Sequence, residues 1–236
     1  MSKREELIQC IYHGENDKVA SMLEGPVIEA IEGETHPIAA AIDSHNDKGL
    51  ELLVNSGWYD ISKKITWFHL PLSYAVNKAN VFAVSFLLEN GHATIEKDTI
   101  LSVVCEIADE DYLVDDCDHV NDCDEYYDCK KVVALIEILH ILLKHGGLDQ
   151  EKDLVYTLWD TTNNDQIDYR VVIPLLEAGV SPFLQQPRST VTFYSYVRYK
   201  STYSSSASRI VGHIRKHQTL YTTVLHQRLD ALKHLN

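Results

Sequence analysis

Two stretches of the chain carry the same order of apolar runs and polar breaks. Residues 36–57 (HPIAAAIDSHNDKGLELLVNSG) and 70–91 (LPLSYAVNKANVFAVSFLLENG) each open near a proline and pass through a short apolar run. Each then breaks at an asparagine and resumes in a second amphipathic run that closes on glycine. Pro37 and Pro71, Asn46 and Asn80, and Gly57 and Gly91 are all 34 residues apart. Proline in the first turn of a helix sacrifices no hydrogen bond, and glycine is the usual residue where a helix ends in a left-handed conformation. Each copy therefore predicts helix, turn, helix. A period of this length marks a unit that cannot bury its apolar face alone and stacks on copies of itself.

The pattern resembles the ankyrin repeat, whose unit of about 33 residues carries a T-P-L-H-x-A motif and a leucine pair before a glycine. Leu70-Pro71-Leu72-Ser73-Tyr74-Ala75 and Phe86-Leu87-Leu88-Glu89-Asn90-Gly91 carry the likeness. Its closing half returns at Ile141 to Gly146 (ILLKHG) and Pro174 to Gly179 (PLLEAG), and more faintly at Met22 to Gly25 and Leu101 to Cys105. The resemblance spans roughly residues 1–182. At the family's threonine and histidine positions this chain has His36 and Ala39 in one copy and Leu70 and Ser73 in the other. The implied fold is all-α: an ankyrin-like helix-turn-helix solenoid of about five or six units with a C-terminal capping helix, forming a single domain over residues 1–236.

Unit by unit, residues 4–25 read as the first repeat, with Leu7, Ile8 and Ile11 on one helix and Val19, Met22 and Leu23 on the next. Units two and three are the two clear copies. A fourth starts near Thr99 with its helices separated by an insertion, and a fifth runs from about Lys152 to Gly179. A sixth uses Val191 to Arg198 and Ala207 to Arg215, and the amphipathic stretch 219–235 predicts the cap. No run approaches the roughly 18 apolar residues of a membrane helix, and MSKREELIQC is too polar for a secretory signal, so an intracellular, cytoplasmic protein, or one acting in a host cell, is expected. Five cysteines without a signal argue for reduced thiols, with Cys10 and Cys105 as buried small hydrophobes in helical runs.

The insertion, residues 109–129, reads DEDYLVDDCDHVNDCDEYYDC and holds ten acids and no Lys or Arg. Cys117, Cys123 and Cys129 are six apart, with His119 between the first two. Structural zinc sites place two to four residues between cysteines, and the calcium-loop pattern fails at its third ligand and its glycine, so no metal and no cofactor is expected. A self-repelling extended loop and a loop docking on a basic partner both remain open. For docking, the residues are Tyr112, Asp115, Asp116, Asp118, Asp122, Asp124, Glu125 and Tyr126, with Tyr127 beside them. Residues 188–236 carry net charge +7 and the first 187 net −21, within a total of −14. The basic end, rich in tyrosine, either meets phosphate groups or faces acids of its own chain, and the overall charge disfavours nucleic acid as main ligand.

No phosphate loop, G-x-S-x-G elbow or H-E-x-x-H helix occurs, and the twelve histidines show no mutually constrained spacing. The expectation is a non-catalytic protein-interaction module, an adaptor or inhibitor whose partner has a basic surface, with no membrane association and self-association left open. The ankyrin resemblance implies that partners meet loop tips, here Glu32 to Thr35 and Thr66 to His69, and the concave face of first helices, here Ala40, Ser44, Tyr74 and Lys78. Trp58, Tyr59, Trp67 and Phe68 on connecting segments are candidate anchors. The alternative is an acidic mimic of nucleic acid that occupies a basic groove on another protein.

Overall fold

A computed structural model describes residues 2–30, 34–89, 91, 93–96, 99–111, 126–146, 169–183 and 191–217. The described residues are all-α, with eleven helices and no strand. Contacts divide the chain into two units, one of Met1–Thr99 with Val133–Ile141, the other of Ile100–Val132 with Leu142–Asn236.

The first unit contains three helix pairs. α1 (Lys3–Tyr12) starts on a capping box in which the Ser2 hydroxyl accepts from the Glu5 N–H and the Glu5 carboxylate accepts from the Ser2 N–H. α3 (Pro37–Asp43) and α5 (Pro71–Asn77) start on the two repeated prolines, as their sequence predicts. The partner helices are α2 (Asn16–Leu23), α4 (Asp47–Asn55) and α6 (Val81–Glu89). Three positions at the end of the first helix of each pair take positive φ: Gly14 (68°), His45 (49°) and Ala79 (50°). The next N–H in each pair, from Glu15, Asn46 and Asn80, closes back on the carbonyl of Cys10, Ala41 and Ala75 at 2.9 to 3.0 Å. One local turn is thus built three times. Gly57 (φ 69°) and Gly91 (φ 65°) end the second helices, a conformation that costs most residues about 1 kcal/mol or more.

First helices pack on first helices, α1 on α3 and α3 on α5, while α2 packs on α4 and α4 on α6. The space between the rows is filled by Leu7, Ile11, Val19, Ile38, Ile42, Leu50, Leu53, Ala75, Val84 and Leu87, each fully or almost fully buried. Burying side chains of this size contributes roughly 1.5–3 kcal/mol apiece for the larger ones. Asn46 and Asn80 join one pair to the next. Each amide oxygen caps its own second helix by accepting from Gly49 N–H (2.8 Å) or Ala83 N–H (3.0 Å). Each amide nitrogen donates to the preceding pair, Asn46 to the Ile11 carbonyl at 2.9 Å and Asn80 to the Ile42 carbonyl at 3.0 Å.

In the second unit, α7 (Thr99–Asp111) buries Ile100, Val103, Val104 and Ile107. Cys105 falls off that row and is exposed, which corrects its expected burial, whereas Cys10 is buried as expected. α8 (Tyr126–Gly146) contributes residues to both units, and its Lys131 pairs with Glu106 of α7 at 2.9 Å. These two helices take in both ends of the acidic insertion, residues 109–111 in α7 and 126–129 in α8, so the segment expected as one loop is helical at its edges. α9 (Tyr169–Glu177), α10 (Phe193–Lys200) and α11 (Ser205–Lys216) follow, with α11 packed on both α9 and α10 around Val172, Leu175, Phe193, Val197, Ile210 and Ile214. Thr192 and Ser204 cap α10 and α11. The expected C-terminal cap and the first half of the fifth repeat lie outside the described residues.

Candidate binding site on the first unit

Left-handed Gly57 turns the chain out of α4 into Trp58 and Tyr59. Tyr59 points inward: it is 6% exposed, its hydroxyl donates to the Ile28 carbonyl at 2.8 Å, and its ring meets His36 edge-on at 5.2 Å. The segment after α4 is thereby tied to the segment after α2. Burial pushes the Tyr59 phenol up to about 12, so it stays a hydrogen-bond donor. His36 caps α3, its Nδ1 accepting from Ile38 N–H at 3.2 Å, and burial followed by nearby Arg4 pulls its pKa down to about 4. The imidazole is therefore neutral with its proton on Nε2. Arg4, itself buried, donates to the Thr35 carbonyl at 2.7 Å and pairs with Glu34, fixing the end of the same segment.

Between α4 and α5 the chain folds into a second tip. Ile65 N–H donates to the His69 carbonyl at 3.0 Å, and the Thr66 hydroxyl accepts from His69 N–H at 3.1 Å. Trp67 and Phe68 form the apex of this closed loop, 69% and 82% exposed. On the adjoining helices, the Tyr74 hydroxyl donates to the Asp43 carboxylate at 2.9 Å, and Lys78 Nζ pairs with the same group at 3.0 Å while lying 5.2 Å from the Tyr74 ring centre. Burial and then the Asp43 bond raise the Tyr74 pKa, and the Asp43 bond is the main reason that Lys78 is raised. Both groups keep their protons at neutral pH.

These parts border one open pocket of about 870 Å³, whose walls include Val27, Glu29, Trp58, Lys64, Trp67, Asp43 and Tyr74. Of the residues expected to bind a partner, Trp58, Tyr59, Trp67 and Tyr74 line it, exposed Phe68 does not, and Lys78 is tied to the lining residue Asp43. Tyr59 holds the wall together from within, since its ring is buried. Ala40 is wholly buried and the Ser44 hydroxyl turns back to the Ala40 carbonyl at 2.7 Å, so the register expected for α3 is off by one. Ala39 and Asp43, one position earlier in each case, face the pocket instead. Asp43 went unnoticed in the sequence because its partners lie about one repeat away, at Tyr74 and Lys78.

Of the acidic insertion, Tyr112, Asp115, Asp116, Asp118, Asp122, Asp124 and Glu125 lie outside the described residues, and Tyr126 opens α8. Among the described residues no group of three or more His, Cys, Asp or Glu is placed to hold a metal ion, and no helix is long and apolar enough to cross a membrane. What the pocket offers is aromatic faces, the Tyr74–Asp43 pair fixed by Lys78, and charged side chains of both signs, Glu29 and Asp60 beside Lys63 and Lys64. Compared with family models, with curated proteins and with solved structures, the chain matches none of them.

Proposed function

We propose that this chain is a non-catalytic protein-binding module built as an ankyrin-like repeat solenoid, and that its partner docks on the pocket of the first unit. The observation that carries this reading is the pair Trp67 and Phe68, held at the apex of a hydrogen-bonded tip beside the pocket. Large aromatics contribute most to protein interfaces when the backbone beneath them is already ordered, because little entropy is then lost on docking. The repeat assignment draws on the turn built three times and on the asparagine that reaches back from each of two pairs to the one before. In this reading Asn46 and Asn80 supply the cross-repeat hydrogen bonds that other ankyrin-like repeats take from their threonine and histidine positions.

A photo-crosslinking side chain placed at Trp67, with one at Lys48 on α4 as control, tests the proposal. Lys48 is exposed and does not line the pocket. The expected result is one protein crosslinked from Trp67 and not from Lys48, whose binding, remeasured with purified components, weakens when Trp67 is replaced by alanine. Equal labelling from both positions, or binding indifferent to that replacement, would refute it.

A further inference from the structure

A second surface, in the other unit, has a chemistry unlike the pocket's. Residues 191–217 contain five Lys or Arg and no Asp or Glu. Within them Tyr199 and Tyr203 are 64% and 79% exposed, their rings 6.0 Å apart and edge to face. Neither contributes to the core of the α10–α11 pair, which Phe193, Val197, Ala207, Ile210, Val211 and Ile214 fill. The turn that presents them is well tied. Thr202 Oγ1 donates to the Tyr199 carbonyl at 2.9 Å, Ser201 Oγ to the Arg198 carbonyl at 2.7 Å, and Ser208 Oγ of α11 to the Ser201 carbonyl at 2.9 Å. Arg209 is already stacked on Tyr169 at 4.5 Å, but Arg198, Arg215 and Lys216 are exposed and pair with no acid among the described residues.

Exposed aromatic faces on a fixed turn, beside an exposed arginine, Arg198, that pairs with no acid among the described residues, have the composition of a stacking platform with a phosphate contact next to it. An acidic protein would use the cations but has no need of two open tyrosine rings. The patch is local, since residues 191–217 carry five basic and no acidic side chains within a chain of total charge −14. We propose that the α10–α11 face binds single-stranded nucleic acid without sequence preference. Bases stack on Tyr199 and Tyr203, and the adjoining phosphate is held by Arg198.

Fluorescence anisotropy of labelled oligouridylate and oligothymidylate with the full chain tests this, from low salt up to about 0.15 M. Both strands are expected to bind at low salt, with log K falling by about 0.7 per phosphate contact for each decade of salt. Tyr199→Ala with Tyr203→Ala is expected to cost about tenfold or more at unchanged helical circular dichroism. The Leu/Leu pair, which keeps the apolar bulk and loses the π faces, is expected to behave the same way. Arg198→Ala should weaken binding and flatten the salt slope by about 0.7. Stronger binding to one strand type would name RNA or DNA as the ligand within the proposal. Absence of binding at low salt overturns it, and so does tighter binding of a duplex, equal competition by polyglutamate, or indifference to both tyrosine pairs.

Discussion

The side-chain amide of Asn80 donates to the main-chain carbonyl of Ile42 across 3.0 Å, from a position only 3% exposed. Its other end accepts from Ala83 N–H, so a single side chain caps α6 and satisfies α3 of the pair before. Asn80→Ala removes the cap, worth about 1 kcal/mol, and one of two hydrogen bonds to the Ile42 carbonyl, which keeps the His45 N–H at 3.2 Å, worth about 0.5–1.5 kcal/mol more. We expect a total loss of about 1.5–2.5 kcal/mol in urea unfolding. Asn80→Asp keeps the cap acceptor and loses the donor, so it should recover only the first part. Equal losses in the two variants would mean that the cap carries no energy of its own, and no loss in Asn80→Asp would mean that the contact with Ile42 carries none.

That relationship also shows how far the sequence could be read. The 34-residue spacing of Asn46 and Asn80 announced two equivalent helix starts, because capping is local and falls within a few residues of the asparagine. The acceptors, Ile11 and Ile42, lie 35 and 38 residues upstream, and no local pattern marks them. The same limit explains the candidate site. Exposed Trp67 and Phe68 sit on a turn that their own neighbours define, whereas the inward rotation of Tyr59 depends on Ile28, 31 residues away. On α3, the buried row takes in Ile38 through Ile42 without a gap, so apolar pattern alone could not say whether Ala39 or Ala40 faced outward.

Acid should weaken the first unit through His36. Its folded pKa of about 4 lies below the ordinary 6.5, so between those values the unfolded chain binds the proton and the folded one does not. Stability is therefore lost as pH falls from about 6.5 to about 4, reaching at most about 3 kcal/mol from this residue, and above that window His36 adds no pH dependence. His36→Ser retains a cap acceptor for Ile38 N–H and removes the titration. Urea midpoints at neutral pH and near pH 4.5 should fall further for the parent chain than for the variant. Parallel loss in both proteins would contradict a buried neutral imidazole.

Leu53 and Leu87 hold equivalent places in α4 and α6, 34 residues apart and both wholly buried between the helix rows. Each truncation to alanine removes transferred apolar surface and leaves a cavity, at a cost of about 2–5 kcal/mol. α4 contacts helices on both sides, α2 and α6, so cavity collapse there is opposed by two neighbours. Leu53→Ala is accordingly expected at the upper end of that range by chemical denaturation. A value below about 1 kcal/mol would show that the site closes around the missing atoms.

Trp67 separates binding from folding. Its side chain is 69% exposed, and the tip beneath it is held by Thr66 and by the Ile65–His69 backbone bond, neither of which needs the indole. Trp67→Ala should therefore change unfolding free energy by no more than about 0.5 kcal/mol. Against the partner captured at this tip, the same change should cost about 2–4 kcal/mol, the range of an aromatic anchor at an interface centre, or about 30- to 1000-fold in Kd. Thr66→Ala offers the complementary case. It leaves the indole in place but removes the acceptor for His69 N–H, and should weaken binding by a smaller factor through the added freedom of the tip. If Thr66→Ala cost as much as Trp67→Ala, the order of the loop would be the larger contribution, and if neither mattered, the partner would not dock on this tip.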